Sequence, residues 1–503
     1  MEILRIIAIA VTFRFLSVCV YAQRSVQNFD DPVKVCWHFG HDKLPPSVDN
    51  SVSVHFPPVI NQKGGSCAQA SGIGYMFTYE MNRYLNRCAA DGDANLFSYL
   101  FTWNFLNGGN DEGGFVDQGL NIAVKYGVMT EADYGYGSAG QYKWASGYDK
   151  YLNAMRYRGR CLYDFPSLAE QDLYLIKSYL YDKKDGLPGG GVLTFSTMSR
   201  NWKINDSYAG PSHTGYHSVL TGLATEGSHA LTVAGYDDAV VYTDKDGNEH
   251  KGAFIVVNSW GRSMHDNGRF YLPYYFFLNR GDKHAESLLS SSMTGVDVRI
   301  HEPKLVYKIK MDYSSRDDMS FIVGAGDGDA THPRDRHTSV VFLNQGGDYP
   351  MQGAYPGNGE IEIALDYTEY LPSEDYLHDK YFLNIVRSQR GNKSGEGSVS
   401  NISLLDYRES GGPREYVCRD AGSMHLKWGE NLFEISTRPL MIISANHHRL
   451  FNKDGEIEHD KTNVIRTATG NYTKMRVVGY DRTTGRITIE YRYNNNGNRR
   501  FEE

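Results

Sequence analysis

The sequence of 503 residues contains no run of about 20 uninterrupted apolar residues, so it predicts no membrane-spanning helix. Basic residues are not in excess, because 52 Lys and Arg stand against 60 Asp and Glu, a net charge of −8. This balance argues against nucleic acid or an anionic membrane as a partner. Cysteine is scarce at six residues, as in an exported protein of low disulfide density.

The rest of the composition is that of a soluble globular protein, with 41% apolar and 22% charged residues. A chain of this length is too long for one ordinary core, so two domains are expected.

The first 22 residues have the features of a secretory signal peptide. A mostly apolar stretch is followed by Val20-Tyr21-Ala22, which has the small residues of a cleavage site. We therefore expect a secreted, periplasmic or extracellular protein that is cleaved near Ala22. Residues 23–43 would remain as a short N-terminal arm, which either packs on the domain surface or plugs a cleft.

The stretch that carries most chemical information is Asn61-Gln62-Lys63-Gly64-Gly65-Ser66-Cys67. It is a glycine-rich loop, and apolar residues recur at helical spacing after its cysteine. A cysteine at a helix N-terminus is favoured as the thiolate by the helix dipole. Gln62 can donate a side-chain N–H to a developing oxyanion, beside the backbone N–H of Cys67. This is the layout of a thiol acyl-transfer site.

A thiol nucleophile needs a base, and the base needs a group that orients it. His229 opens a small, apolar strand, and Asn258 ends another. Trp260 would shield a hydrogen bond between them from water. His213 and His217 are rival bases, but they lie in a segment typical of a loop, so His229 is preferred.

These residues resemble the papain-like cysteine peptidases, in that family's order of Gln, Cys, His and Asn. The similarity extends over roughly residues 44–280 and includes five further motifs. They are Leu44-Pro45-Pro46-Ser47-Val48-Asp49, Phe97-Ser98, Gly113-Gly114-Phe115, Lys125-Tyr126-Gly127-Val128 and Asn267-Gly268-Arg269-Phe270-Tyr271-Leu272-Pro273. The resemblance implies an α+β, papain-like domain over residues 44–300, in which a helical half and an antiparallel β half enclose the active-site cleft.

The resemblance also implies roles for individual residues. Cys67, His229 and Asn258 would form the catalytic set, and Gln62 would stabilise the oxyanion. Gly113 and Gly114 would pair through their backbone with an extended peptide substrate, although a plain turn is the alternative. Trp260 would complete the substrate-binding cleft.

Three departures from the family pattern concern subsite shape more than the chemistry. Ala68 stands where the family usually has Trp after the nucleophile. Gln62 precedes Cys67 by five positions, one fewer than usual, so the oxyanion loop must close differently. No cysteine lies three positions before Cys67, so the usual disulfide at that loop is absent. Among the other cysteines, Cys88 with Cys161 is the one pair considered for a bridge, and buried free thiols are the alternative.

Beyond about His301, long helical periodicity is missing and short strands are predicted. They are residues 305–313, 337–344, 360–367, 380–389 and 398–407, and a terminal hairpin of residues 475–481 and 486–493. This pattern favours an all-β sandwich of the jelly-roll kind over residues 301–503. Such an accessory domain would bind glycans, hold a protein partner, or only stabilise the enzyme.

The function expected from the sequence is that of a secreted cysteine peptidase that hydrolyses protein or peptide substrates through a thioester acyl-enzyme. Two alternatives stay open: a thiol acyltransferase or transpeptidase, and a catalytically inert papain-like binding protein. The acidic turns at Asp244 and Asp327 lack the spacing of a calcium loop, so no metal is expected, and no cofactor either.

Overall fold

The computed structural model describes residues 43–135, 140, 142–166, 170–278, 292–328, 330–353, 360–388, 395–422 and 424–437, and the backbone of three strands beyond them. The predicted signal peptide, and the predicted arm up to residue 42, lie outside the described residues. The chain divides into two compact units, Met1–Ser436 and Thr437–Glu503. The boundary predicted at residue 301 lies within the first unit and stays a prediction.

Helices lie mainly in the first half of the chain. They are α1 Cys67–Gln69, α2 Thr78–Leu85, α3 Tyr99–Leu106, α4 Val116–Lys125, α5 Glu131–Tyr134, α6 Tyr148–Ala154, α7 Glu170–Tyr181 and α8 Tyr275–Leu278. A π-helical stretch, Ala70–Phe77, joins α1 to α2, so one continuous helix begins at Cys67. Within the described ranges, no helix is long and apolar enough to cross a bilayer.

Nine strands form one sheet that is antiparallel except where β5 joins β8. They are β1 Ser47–Asp49, β2 Tyr157–Pro166, β3 Leu193–Arg200, β4 Lys203–Asn205, β5 Val219–Gly222, β6 Glu226–Thr243, β7 Glu249–Val257, β8 Arg269–Pro273 and β9 Ser292–Ile300. The order is β2-β9-β3-β6-β7-β8-β5-β4, with β1 on β6. Because Thr232 pairs with Val257, the start of β6 lies beside the chain that follows β7. That register brings His229 and Asn258 to the same edge of the hairpin.

Two further antiparallel sheets complete the first unit. Their strands are β10 Leu305–Tyr313, β11 Met319–Gly326, β12 His337–Thr338, β13 Ile361–Asp366, β14 Lys380–Arg387, β15 Gly397–Asp406, β16 Arg414–Val417, β17 Met424–His425 and β18 Gly429–Ser436. One sheet has the order β13-β10-β15-β16, with β17 on β15, and the other has the order β12-β11-β14-β18. The observed class is therefore α+β with several antiparallel sheets.

The second unit contains a separate antiparallel sheet. Its strands are β19 Thr462–Arg466, β20 Tyr472–Asp481 and β21 Arg486–Asn494, in that order. The pairing of β20 with β21 is the predicted terminal hairpin.

The strand predicted at residues 337–344 is wrong beyond Thr338, where β12 ends. Phe342 and Asn344 have φ values of 59° and 50°, left-handed conformations that a strand cannot contain. The turn places the ring of Phe342 in the core, 5.2 Å from the ring of Phe105 in α3. Burial of that ring therefore outweighs continuation of the strand.

The helical region and the two later sheets share one hydrophobic core. Polar contacts also hold the later sheets. Tyr126, at the end of α4, donates to the carbonyl of Ala364 at 2.8 Å, and Arg158 of β2 in the large sheet pairs with Asp366 at 2.5 Å. The side chain of Arg158 is only 1% exposed, so this ion pair is buried between β2 and β13. Residues 305–436 therefore pack tightly on the helical region.

Candidate active site

Buried hydroxyl groups fix the helix that begins at Cys67 against the large sheet. Ser71 Oγ lies 2.5 Å from Thr194 Oγ1 of β3 and 2.8 Å from Thr232 Oγ1 of β6. Buried polar groups of this kind must be hydrogen-bonded, so the three hydroxyls define the position of the helix along the strands. The thiol of Cys67, one turn earlier, consequently lies at the start of β6. The backbone N–H of Ala230, next to His229, interacts with this sulfur.

The imidazole of His229 is oriented by Asn258. His229 Nε2 lies 2.9 Å from Asn258 Oδ1, and both residues are buried. Asn258 Oδ1 also accepts the backbone N–H of Ser259 at 2.8 Å, which identifies it as the carboxamide oxygen. An amide oxygen only accepts, so His229 Nε2 must carry a proton. In the neutral ring, Nδ1 is then the free base.

Aromatic rings cover this hydrogen bond. Trp260 stacks on the imidazole with the ring centroids 4.5 Å apart and the planes at 23°. Trp202, which the sequence interpretation did not single out, lies 5.3 Å from Trp260 and 6.1 Å from His229. Tyr75 adds support from the helix by donating to the carbonyl of Asn258 at 2.9 Å.

Burial disfavours the charged forms of both the Cys67 and the His229 side chains. It raises the pKa of the Cys67 thiol, and the N–H of Ala230 opposes it only in part. It also lowers the pKa of His229 to about 4, against which the bond to Asn258 acts in the other direction. Both shifts act against the thiolate–imidazolium pair that a helix N-terminus alone would favour.

Gln62 is held by both ends of its carboxamide. Ser259 Oγ donates to Gln62 Oε1 at 2.5 Å, and Gln62 Nε2 donates to the carbonyl of Gly64 at 2.8 Å. The backbone N–H of Gln62 also donates to the carbonyl of Ser259 at 2.7 Å. A carboxamide nitrogen carries two N–H groups, and the bond to Gly64 uses one of them.

The glycine pair lies beside this loop. A Cβ on Gly113 would be 3.6 Å from the carbonyl oxygen of Gly65, and one on Gly114 would be 3.6 Å from Gln69 Nε2. Gln69 in turn donates to the carbonyl of Phe115 at 3.1 Å. The pair is thus adjacent to the first turn of the helix that carries the thiol, and its backbone lies along one side of the loop.

The rival histidines lie elsewhere. His217 Nδ1 contacts the carbonyl of Tyr208 at 3.1 Å on the surface, and the backbone N–H of His213 donates to Asp237. Cys88 and Cys161, considered as a bridge, are both free thiols. Over the described ranges, no group of three or more His, Cys, Asp or Glu side chains is arranged to hold a metal ion.

No protein-family model and no curated protein sequence matches the chain. Among solved structures, xylellain, a cysteine protease from Xylella fastidiosa, is 20% identical at a TM-score of 0.34, covering 51% of this chain and 87% of that one. A recombinant stem bromelain precursor is 18% identical at 0.35, covering 50% and 70%. Procathepsin B S9 from Trypanosoma congolense is 14% identical at 0.33, covering 51% and 79%. These similar structures are papain-like cysteine proteases, and TM-scores this low assign no activity to this chain.

Proposed function

We propose that the protein is a cysteine peptidase that hydrolyses peptide bonds through a thioester acyl-enzyme. Cys67 is the nucleophile, His229 is the general base and acid, and Asn258 orients the imidazole. Gln62 and the backbone N–H of Cys67 stabilise the oxyanion.

The observation that carries the proposal is the buried hydrogen bond between His229 Nε2 and Asn258 Oδ1. It favours the tautomer in which Nδ1 of His229 is free to accept a proton. His229 is also the neighbour in β6 of Ala230, whose backbone N–H interacts with the Cys67 sulfur. The side chain of Asn258 is itself fixed by the backbone N–H of Ser259, as is expected of a residue that orients a catalytic imidazole. This arrangement supports the proposal that His229 is the general base for the Cys67 thiol.

In the proposed reaction His229 acts first as a base and then as an acid. As the sulfur of Cys67 attacks the substrate carbonyl, its proton moves to Nδ1 of His229, and the imidazolium is held by Asn258. The C–N bond then breaks, and the imidazolium gives its proton to the leaving amine. Water, activated by the same imidazole, hydrolyses the thioester and restores the thiol.

The substrate is a protein or peptide bound along the cleft. In this proposal Gly113 and Gly114 offer backbone groups to an extended chain, and Trp260 contributes to the substrate-binding cleft beside His229. We also propose secretion after removal of residues 1–22, and a stabilising role for the β-sandwich domain predicted over residues 301–503. A glycan or protein ligand for that region stays a hypothesis.

The decisive experiment compares Cys67→Ala with Cys88→Ala, since Cys88 is another free, half-buried thiol. Hydrolysis of a casein-derived fluorogenic peptide mixture and labelling by a thiol-reactive peptide epoxide are measured on both. We expect Cys67→Ala to lose hydrolysis and labelling, and Cys88→Ala to keep both. Hydrolysis that persists in Cys67→Ala would refute the assignment.

A further inference from the structure

Compared with the pattern of the papain-like cysteine peptidases, the loop before Cys67 is one residue shorter and lacks the disulfide. Non-covalent contacts must therefore hold this loop. The backbone N–H of Gly65 donates to Asp111 Oδ1 at 2.8 Å. Gly64 lies against the same carboxylate, because a Cβ there would come within 1.9 Å of Asp111 Oδ1. Gly64 also has a φ of +50°, which glycine adopts most easily. The Asp111 side chain therefore packs against the peptide between Gly64 and Gly65 and restricts its rotation.

This peptide determines where the proposed oxyanion donors point. Gln62 Nε2 donates to the carbonyl of Gly64, which belongs to the same peptide as the N–H that Asp111 accepts. Cys67, whose backbone N–H is the second donor, follows Gly65 by two residues. Rotation of the peptide would displace both donors from the oxyanion position. Small displacements of positioned groups cost large factors in rate.

We propose that Asp111 is a positioning residue for the reaction, acting through Gly65 to set the geometry of the oxyanion loop. The inference rests on the proposed peptidase function. Asp111 contributes a hydrogen-bond acceptor at the loop and does not itself touch the reacting atoms. It holds the shortened loop by a hydrogen bond where a covalent bridge is absent.

Asp111 can do this because its own loop is held on two sides. Trp103 Nε1 in α3 donates to the carbonyl of Glu112 at 3.0 Å. Gly109 packs against Gly347, since a Cβ on Gly109 would lie 2.6 Å from Gly347 Cα. The carboxylate is thus presented from a loop that is fixed at both ends.

The test uses Asp111→Ala, Asp111→Asn and the control Asp117→Ala, which removes an exposed carboxylate from the first turn of α4. We expect Asp111→Ala to lower kcat/KM for a peptide by about 10²-fold, mainly through kcat, because both oxyanion donors shift. Asp111→Asn keeps an oxygen acceptor and should stay within about tenfold of wild type. Alkylation of Cys67 by iodoacetamide needs no oxyanion donor, so its rate should be unchanged. The Asp117 variant should match wild type in every assay.

A second readout is independent of activity. Amide hydrogen exchange of Gly65, measured on the full chain, should become faster in Asp111→Ala and stay slow in the Asp117 control. Unchanged exchange, or a kcat/KM of Asp111→Ala equal to wild type, would overturn the proposal. An Asp111→Asn variant as slow as the alanine variant would overturn the hydrogen-bond argument as well. A wild-type protein without hydrolysis or epoxide labelling would defeat the peptidase function, and the exchange measurement would still decide the role of Asp111 in the loop.

Discussion

The buried ion pair between Arg158 of β2 and Asp366 of β13 gives a direct test of how firmly the later sheets are joined to the nine-stranded sheet. Asp366→Asn keeps the shape of the side chain and removes its charge. Arg158 is 1% exposed and would keep only Glu369, 2.9 Å away and 28% exposed, as a carboxylate partner. Removing one partner of a buried pair costs about 3–5 kcal/mol of the free energy of unfolding. Because Arg158 keeps Glu369, we expect a loss of about 3 kcal/mol.

The pH dependence of this loss has a defined sign. Burial alone would raise the pKa of Asp366, but the Arg158 guanidinium and the hydrogen bond from His301 hold it well below its usual range. A carboxyl whose pKa is depressed on folding stabilises the protein above its unfolded pKa and loses that contribution as the pH falls. The difference between wild type and Asp366→Asn should therefore be full at pH 7 and shrink below about pH 4.

Urea denaturation at both pH values, followed by tryptophan fluorescence, measures this difference. Glu369→Gln is the matched control, because it removes the more exposed carboxylate from the same guanidinium and should cost only about 1 kcal/mol. If Asp366→Asn were as stable as wild type at pH 7, the reasoning about the interface would fail. A constant difference across the pH range would refute the assignment of the effect to the Asp366 charge.

Two further predictions concern protons. The acid limb of kcat/KM should lie near pH 4, because burial lowers the pKa of His229 to about 4, and activity should be lost as the pH falls through that value. The alkaline limb should lie above the ordinary range of a thiol, because burial raises the pKa of Cys67. An acid limb near pH 6.5, the ordinary value for histidine, would contradict the prediction for His229. Burial raises the pKa of Glu131 to about 7. The free energy of unfolding should therefore fall as the pH rises from 4.5 through 7, because the buried carboxyl must then carry a charge. Glu131→Gln should therefore raise the free energy of unfolding at pH 8 by up to about 3 kcal/mol and leave it unchanged at pH 4, as urea denaturation would show; equal effects at the two pH values would be the contrary result.

Local sequence patterns predicted the elements whose signal is local. The strand predicted at residues 305–313 matches β10. β11 was missed because Met319–Gly326 is buried on both faces and shows no alternation. β18 alternates in burial over Gly429–Ser436, but polar Asn431 takes a buried position and apolar Leu432 a partly exposed one, so the sequence itself does not alternate.

The parts of the candidate site that the sequence could not predict depend on contacts between distant residues. The bond of Gly65 to Asp111 spans 46 residues, and that of Tyr75 to Asn258 spans 183. No spacing rule connects such pairs, and aspartate beside a glycine pair is an ordinary loop composition. The lowered pKa of His229 was also beyond the sequence, because it comes from burial of the imidazole, to which the stacked ring of Trp260 contributes.

The role of residues 305–436 follows from what their loops contact. Arg316 is fully buried and donates twice to the carbonyl of Gly346, at 3.0 and 2.6 Å, while its guanidinium lies 4.3 Å from the ring centre of Trp144. These contacts fix the turn whose next residue, Gly347, packs on Gly109. Because that glycine belongs to the loop that presents Asp111, the later sheets support one wall of the proposed cleft. We propose that residues 305–436 give structural support to this wall, while a glycan or protein ligand for them stays a hypothesis.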